Sequence, residues 1–205
     1  MWESFIGKAQ STDFEDDYGT FLIEEATYSD ENLNLDCSVS FEDDESFPNR
    51  WRISCANVFD HQIKFGFVNS IQILEEHVLL WPFNDTEVRL GFRGSAVPVE
   101  AVLGSLYQKH HEILGNWFPL DEFMNSDLEP KRVLESGFGV LAEGPLKLLT
   151  EYKNVLEGFG ISTSVTGHRK HKHWNGSEFL IFSGGSVLIL DDTYIVAEVF
   201  DAEPL

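Results

Sequence analysis

Basic residues are what this chain most lacks. Fourteen Lys and Arg stand against thirty-five Asp and Glu in 205 residues, a formal net charge of −21. Non-specific binding to nucleic acid runs on Lys and Arg neutralising phosphates, so the deficit excludes that function. An anionic membrane surface is disfavoured for the same reason. Cysteine is nearly as scarce: Cys37 and Cys55 are too few for a disulfide scaffold and have no C-x-x-C spacing. Long apolar runs are missing too, since "SVLIL" falls far short of the ~18–20 residues needed to span a bilayer. The start, MWESFIGKAQSTDFEDD, has neither the basic region nor the apolar run of a signal peptide, and the expected location is cytoplasmic. No G-x-S-x-G elbow, phosphate loop or H-E-x-x-H helix occurs. Nucleophile-plus-base catalysis has no local support.

What is present is a foldable chain. Hydrophobic residues make up 42% and aromatics 13%, with seventeen Phe, far too apolar for a disordered acidic tail. A chain of this size buries roughly 70% of its unfolded surface, so it needs no metal, disulfide or cofactor to fold. The acid decorates a folded body, and unevenly. Residues 1–50 hold fourteen acids against Lys8 and Arg50, a net −12.

Period-2 alternation dominates the first half. "GTFLIEEATYS" and "LNLDCSVSF" flank the turn-forming "DEN". "RWRISCANVF", "HQIKFGFV" (with Ile63, Phe65 and Phe67 on one face), "SIQILEEHVLLW" and "TEVRLGFRG" follow. Such alternation marks antiparallel sheets with one face on the core, and places Cys37 and Cys55 inward as plain core thiols. From Val99 the pattern becomes helical through Val102, Leu103, Leu106, His110 and Ile113 to Gly115. A second helix starts after Pro145, buries Leu148, Leu149, Tyr152, Val155 and Leu156, and ends at Gly158. The strand "ISTSVTG", the loop "HRKHKHWNG" and then "EFLIFS", "SVLILDD" and "TYIVAEVF" complete the chain. The expected fold class is α+β: a mainly antiparallel β half (a sandwich or meander) over 1–94, packed on an α+β half over 95–205. That second half ends in a three-stranded antiparallel meander turned at Gly184-Gly185.

Several clusters are candidates for function. The acids Asp13, Glu15, Asp16 and Asp17, with Phe14 and Tyr18, and the acids Glu42, Asp43, Asp44 and Glu45 form a candidate partner-binding surface. Trp2, Phe5, Phe41 and Phe47 lie nearby as anchors or as core, since interface centres favour aromatics within a polar rim. "DFEDDYG" lacks the full calcium-loop pattern. His168, Arg169, Lys170, His171, Lys172, His173 and Trp174 form a basic loop that reads as a solvated hairpin or a recognition loop. His168, His171 and His173 are its weak metal candidates, because imidazoles suit zinc, copper or nickel only when three or four ligands converge. His110 belongs to a core stripe, as an imidazole with one hydrogen bond. "GFGVLAEGP" spells G-x-G-x-x-A, but a helix precedes the glycines and "GVLAEG" is itself strand-like. A dinucleotide site needs the reverse order.

Two classes of function compete. In the first, a non-enzymatic acidic interaction protein binds a basic protein, such as a toxin or nuclease, in the manner of an immunity protein or inhibitor. Complementary charge speeds such an association. In the second, an enzyme or small-ligand or metal-binding protein has a pocket between the two halves and uses His110 or the 168–173 loop. A structural subunit of an assembly is a further alternative.

Overall fold

The computed structural model describes residues 1–12, 14, 19–29, 32–41, 47–95, 98–170, 172–174, 179–181 and 184–205. In chain order the elements are α1 (Trp2–Ser11), β1 (Gly19–Ser29), β2 (Asn32–Phe41), β3 (Arg50–Gln62), β4 (Gly66–Phe67) and β5 (Ile71–Leu74). A 3₁₀ turn (Val78–Leu80) leads to α2 (Trp81–Asn84), β6 (Thr86–Arg93) and α3 (Val99–Leu114). After a second 3₁₀ turn (Leu120–Glu122) come α4 (Pro130–Glu135), β7 (Phe138–Pro145), α5 (Leu146–Gly158) and β8 (Ser162–Lys170). The short β9 (Lys172–Trp174) and β10 (Phe179–Ile181) precede β11 (Ser186–Leu190) and β12 (Thr193–Pro204). The protein is α+β with mostly antiparallel sheets, and no helix among the described residues is long and apolar enough to cross a membrane.

Two compact units emerge, and the chain enters the first one twice. It comprises residues 1–77, 173–178 and 183–205; the second comprises 78–172 and 179–182. The division therefore falls elsewhere than residue 94. The reason is pairing: β12 lies along the whole of β3, from Tyr194 opposite Gln62 to Pro204 opposite Trp51. This contact closes at the end of the chain what alternation starts at its beginning.

The first unit is a seven-stranded sheet in the order β4-β1-β2-β3-β12-β11-β5. Its two edge strands are consecutive in the chain and only three residues apart, so the sheet curls. That short link is pinned. Val68 N–H donates to Phe21 O (2.8 Å), and the Asp191 carboxylate accepts from Asn69 N–H (2.7 Å), Ser70 N–H (2.9 Å) and the Ser70 hydroxyl (2.8 Å). The inward faces are the alternating residues expected from sequence: Leu33, Leu35, Cys37 and Val39 on β2, Trp51, Ile53 and Cys55 on β3. β11 and β12 form the expected hairpin, with Leu190 opposite Thr193. The third strand of that meander is different: β5, not the 179–182 segment, pairs with the other side of β11.

Two further expectations change in this unit, and one holds. The amino-terminal lead is a helix, α1, which lays Phe5, Ile6 and Ala9 into the core. "HQIKFGFV" is not a strand of its own: β3 runs on to Gln62, β4 has two residues, and Phe65 and Phe67 are exposed. The two cysteines are free and share the core face, but Cys37 lies opposite Trp51 and Cys55 opposite Leu33. Four residues along a strand is roughly 13 Å, well beyond disulfide reach.

The second unit is a three-stranded antiparallel sheet, β7-β6-β8, with helices on one face. Val88, Leu90 and Phe92 of β6 meet Val102 and Leu106 of α3 and Leu148, Leu149, Tyr152 and Leu156 of α5 in one core. Gly115 ends α3 at φ 58°, a left-handed position that glycine takes without strain. "GFGVLAEGP" is Gly137 followed by β7 and preceded by the helix α4, so Gly137 and Gly139 lie at the start of a strand and not between a strand and a helix, as a dinucleotide site requires. One boundary moves: β8 continues to Lys170, with Arg169 opposite Glu87 and Lys170 opposite Thr86 past a bulge, rather than looping out after Gly167.

Candidate functional site

The acids are distributed by unit far more sharply than by sequence position. The first unit carries twenty-three acids and four bases, a net −19; the second carries twelve and ten, a net −2. Nearly all the chain's charge therefore belongs to the first unit. Asp13, Glu15, Asp16, Asp17, Tyr18, Glu42, Asp43, Asp44 and Glu45 lie outside the described residues, as do His171 and the side chains of His173 and Trp174.

Among the described acids, a group converges on the outer face of this sheet. Strand pairing sets the rows. Phe67, Leu22, Ser38 and Arg50 lie side by side across β4, β1, β2 and β3. The next row is Glu25, Asp36, Arg52 and Glu203, and the next Thr27, Asn34, Ser54 and Asp201. A bulge in β1 between Ile23 and Glu25 lets consecutive Glu24 and Glu25 both reach solvent, whereas strict alternation would turn one inward.

Two arginines organise this face without neutralising it. Arg52 forks onto Asp36, Nε to Oδ1 at 2.7 Å and Nη2 to Oδ2 at 2.8 Å. That hydrogen-bonded guanidinium holds the Asp36 carboxyl below its ordinary range. Glu24 accepts from the Ser38 hydroxyl and from Arg50 Nη2 (3.1 Å), the hydroxyl being the main cause of its lowered pKa. Glu25, Asp201 and Glu203 add negative charge around the pairs. Apolar groups sit among them: Phe67 is 73% exposed and Val199 55%.

The aromatic residues singled out beside the amino-terminal acids are not on this surface. Phe14, expected as a partner-binding anchor, is 7% exposed and packs edge-on against Phe21 with ring centroids 6.0 Å apart. Phe5 and Phe41 are likewise buried, Trp2 stacks on Phe200, and Phe47 stacks on Trp51. They complete the core because the sheet is too curved to close without large side chains from α1 and the flanking loops. An exposed aromatic on this face is Phe67, which the alternation of "HQIKFGFV" places with Ile63 and Phe65 on an apolar face. The Gly66 before it interrupts the run and leaves only a two-residue strand.

No protein family, curated protein or solved structure matches this chain. Any assignment of function rests on the geometry alone.

His110 is 2% exposed, with Nδ1 2.6 Å from the Tyr152 hydroxyl and Nε2 2.7 Å from Phe118 O. A carbonyl only accepts, so Nε2 carries the proton and Nδ1 of the neutral ring accepts from Tyr152. Both nitrogens are engaged, one more than the sequence led us to expect. Beside it is a groove of about 510 Å³ in the second unit, lined by Tyr107, His111, Phe118, Leu120 and Met124 among others. His168, Arg169 and Lys170 are exposed on β8. Among the described residues no three His, Cys, Asp or Glu side chains are placed to hold a metal ion.

The His110–Tyr152 pair makes a direct prediction. Tyr152→Phe leaves a buried imidazole nitrogen without its donor and should cost about 1–3 kcal/mol, read as a lower urea midpoint at unchanged slope. The double variant His110→Leu/Tyr152→Phe should lose less than the two single variants added together, because the pair acts as one unit. An unchanged midpoint in Tyr152→Phe would remove the hydrogen bond from the account of this core.

Proposed function

We propose that the chain is a non-enzymatic, acidic interaction protein that binds a basic protein partner through its first unit, as an immunity protein or inhibitor does. The observation that carries this reading is the concentration of −19 of the −21 charges in one unit. A single-signed surface of that size raises association rates with an oppositely charged partner and repels acidic competitors. The outer sheet face gives the charge a place to act. Its carboxylates are held in rows by paired strands, and Phe67 and Val199 offer apolar contact within an acidic surround, the arrangement that interface centres favour.

The test has two stages. A tagged chain is used to recover partners from its native cell extract at low and high salt. The association rate of a recovered basic protein is then measured with the chain and its variants. Glu24→Gln/Glu25→Gln/Asp201→Asn/Glu203→Gln, or Asp16→Asn/Asp17→Asn/Asp43→Asn/Asp44→Asn, should lower the rate about tenfold or more and flatten its salt dependence. Phe67→Ala should act on dissociation instead. An unchanged association rate in both charge variants rejects electrostatic recognition.

A further inference from the structure

β8 stands at one edge of the second unit's sheet. One side of it pairs with β6 from Ser162 to Thr166 and, past a bulge, again at Arg169 and Lys170; among the described residues no strand pairs with the other. An edge strand directs alternate N–H and C=O groups outward, ready to receive another strand. The opposite edge of the same sheet is occupied. There Asn125 N–H donates to Leu141 O (2.9 Å), Glu143 N–H to Phe123 O (2.9 Å), and the Asn125 side-chain amide to Val140 O (2.8 Å). Among the described residues, the β7 edge is closed and the β8 edge receives no strand.

Charge says what this edge would take. No acid occurs between Glu157 and Glu178, a stretch without equal in so acidic a chain, and it holds Arg169, Lys170 and Lys172. Eight other basic side chains form ion pairs with acids. Arg169, Lys170 and Lys172 are exposed and form none among the described residues. Open backbone valences and unspent positive charge thus coincide at the carboxyl-terminal end of one strand.

We propose that the β8 edge docks an extended acidic segment of a protein partner as an added antiparallel strand. The guest's amino-terminal end then lies beside Arg169 and Lys170, and its carboxylates belong there. Backbone hydrogen bonds supply affinity in this mode of recognition, and the charged end supplies direction. The surface is in the other unit and of opposite sign to the acidic sheet face, so the two readings stand or fall separately.

The test is fluorescence anisotropy of labelled ten-residue Val/Thr peptides on the full chain. Two peptides share one composition, with three Asp at the amino-terminal end of one and at the carboxyl-terminal end of the other. The first should bind at least about tenfold more tightly, and Arg169→Glu/Lys170→Glu should abolish the difference while leaving the circular dichroism spectrum unchanged. N-methylation of one alternate set of its amides should abolish binding, and of the other set should not, because only alternate amides face a paired strand. Absence of binding, equal affinity for both peptides, preference for the second, or equal effects of the two methylated sets overturns the proposal. A chain that is dimeric through this edge, dissociated by Arg169→Glu/Lys170→Glu and refusing the peptide, overturns it in favour of a second copy.

Discussion

Phe5→Ala is expected to be among the most damaging single substitutions in the chain, costing about 3–5 kcal/mol. Phe5 is fully buried, 4.7 Å ring to ring from Trp51 and 6.3 Å from Phe21. Its removal forfeits the transfer energy of the ring, opens a cavity and breaks aromatic contacts worth about 0.5–1.5 kcal/mol each. The effect is amplified by the helix that carries it. α1 has ten residues, and isolated helices shorter than about 12–15 residues are marginal in water, so α1 persists because Phe5, Ile6 and Ala9 hold it against the sheet. Measured by thermal unfolding, the loss should lower Tm by on the order of 10 °C for a chain of this size. Gln10→Ala, exposed on the same helix, should change stability by no more than about 0.5 kcal/mol. If Phe5→Ala behaves like Gln10→Ala, α1 is not part of the core.

The helix that Phe5 anchors shows why local reading succeeded in some places and failed in others. Trp2, Phe5, Ile6 and Ala9 follow the i, i+3, i+4, i+7 pattern of a helix face, but Gly7 interrupts it and dense acid follows, so the aromatics read equally as surface anchors. β2, α3 and α5 were legible because each has one buried face and a long, unbroken period, and β3 because Trp51, Ile53 and Cys55 alternate before its phase shifts at Val58. What no period contains is the partner of a strand. Nothing in "TYIVAEVF" says that it lies along "RWRISCANVF", nearly 140 residues earlier, or that "IQIL" pairs with "SVLIL". Both pairings join distant residues, and both decide which residues form a unit.

The same distinction governs the candidate surface. Asp36 and Ser38 could be assigned to an outer face from the alternation of "LNLDCSVSF" alone. That Arg52, Glu203 and Glu25 share the row of Asp36 depends on register across four strands. The bulge that exposes Glu24 beside Glu25 leaves only a trace in sequence, where the apolar positions shift phase from Phe21 and Ile23 to Ala26. A phase shift inside a strand is the usual mark of an extra residue. The basic end of β8 was visible as composition, but its place at a sheet edge appears only when β6 is found on one side and, among the described residues, no strand on the other.

Alkaline pH should destabilise the protein steeply, and the two core thiols give that effect a sign and a size. Burial pushes both Cys37 and Cys55 up to about 12 from an ordinary value near 9, with Asp36 and Glu24 adding to the shift at Cys37. Below about pH 8.5 both thiols are protonated whether the chain is folded or not, and they contribute no pH dependence. Between about 9 and 12 the unfolded chain releases both protons while the folded chain keeps them, so the folded state binds more protons and stability falls as pH rises. Each thiol contributes about 1.4 kcal/mol per pH unit in that window, and the pair should cost about 4 kcal/mol by pH 10.5 relative to pH 8. Tyr152, whose phenol burial also pushes upward, acts in the same direction. Urea unfolding at pH 8, 9, 10 and 10.5 separates the contributions. Cys37→Ala/Cys55→Ala should start from a lower stability, because it opens two small cavities, yet lose less with pH than the unsubstituted chain. The two stability curves must therefore converge as pH rises. Parallel curves would mean that these thiols ionise as readily in the folded core as in water, which two side chains each 1% exposed could do only if the sheet opened before the rest of the chain.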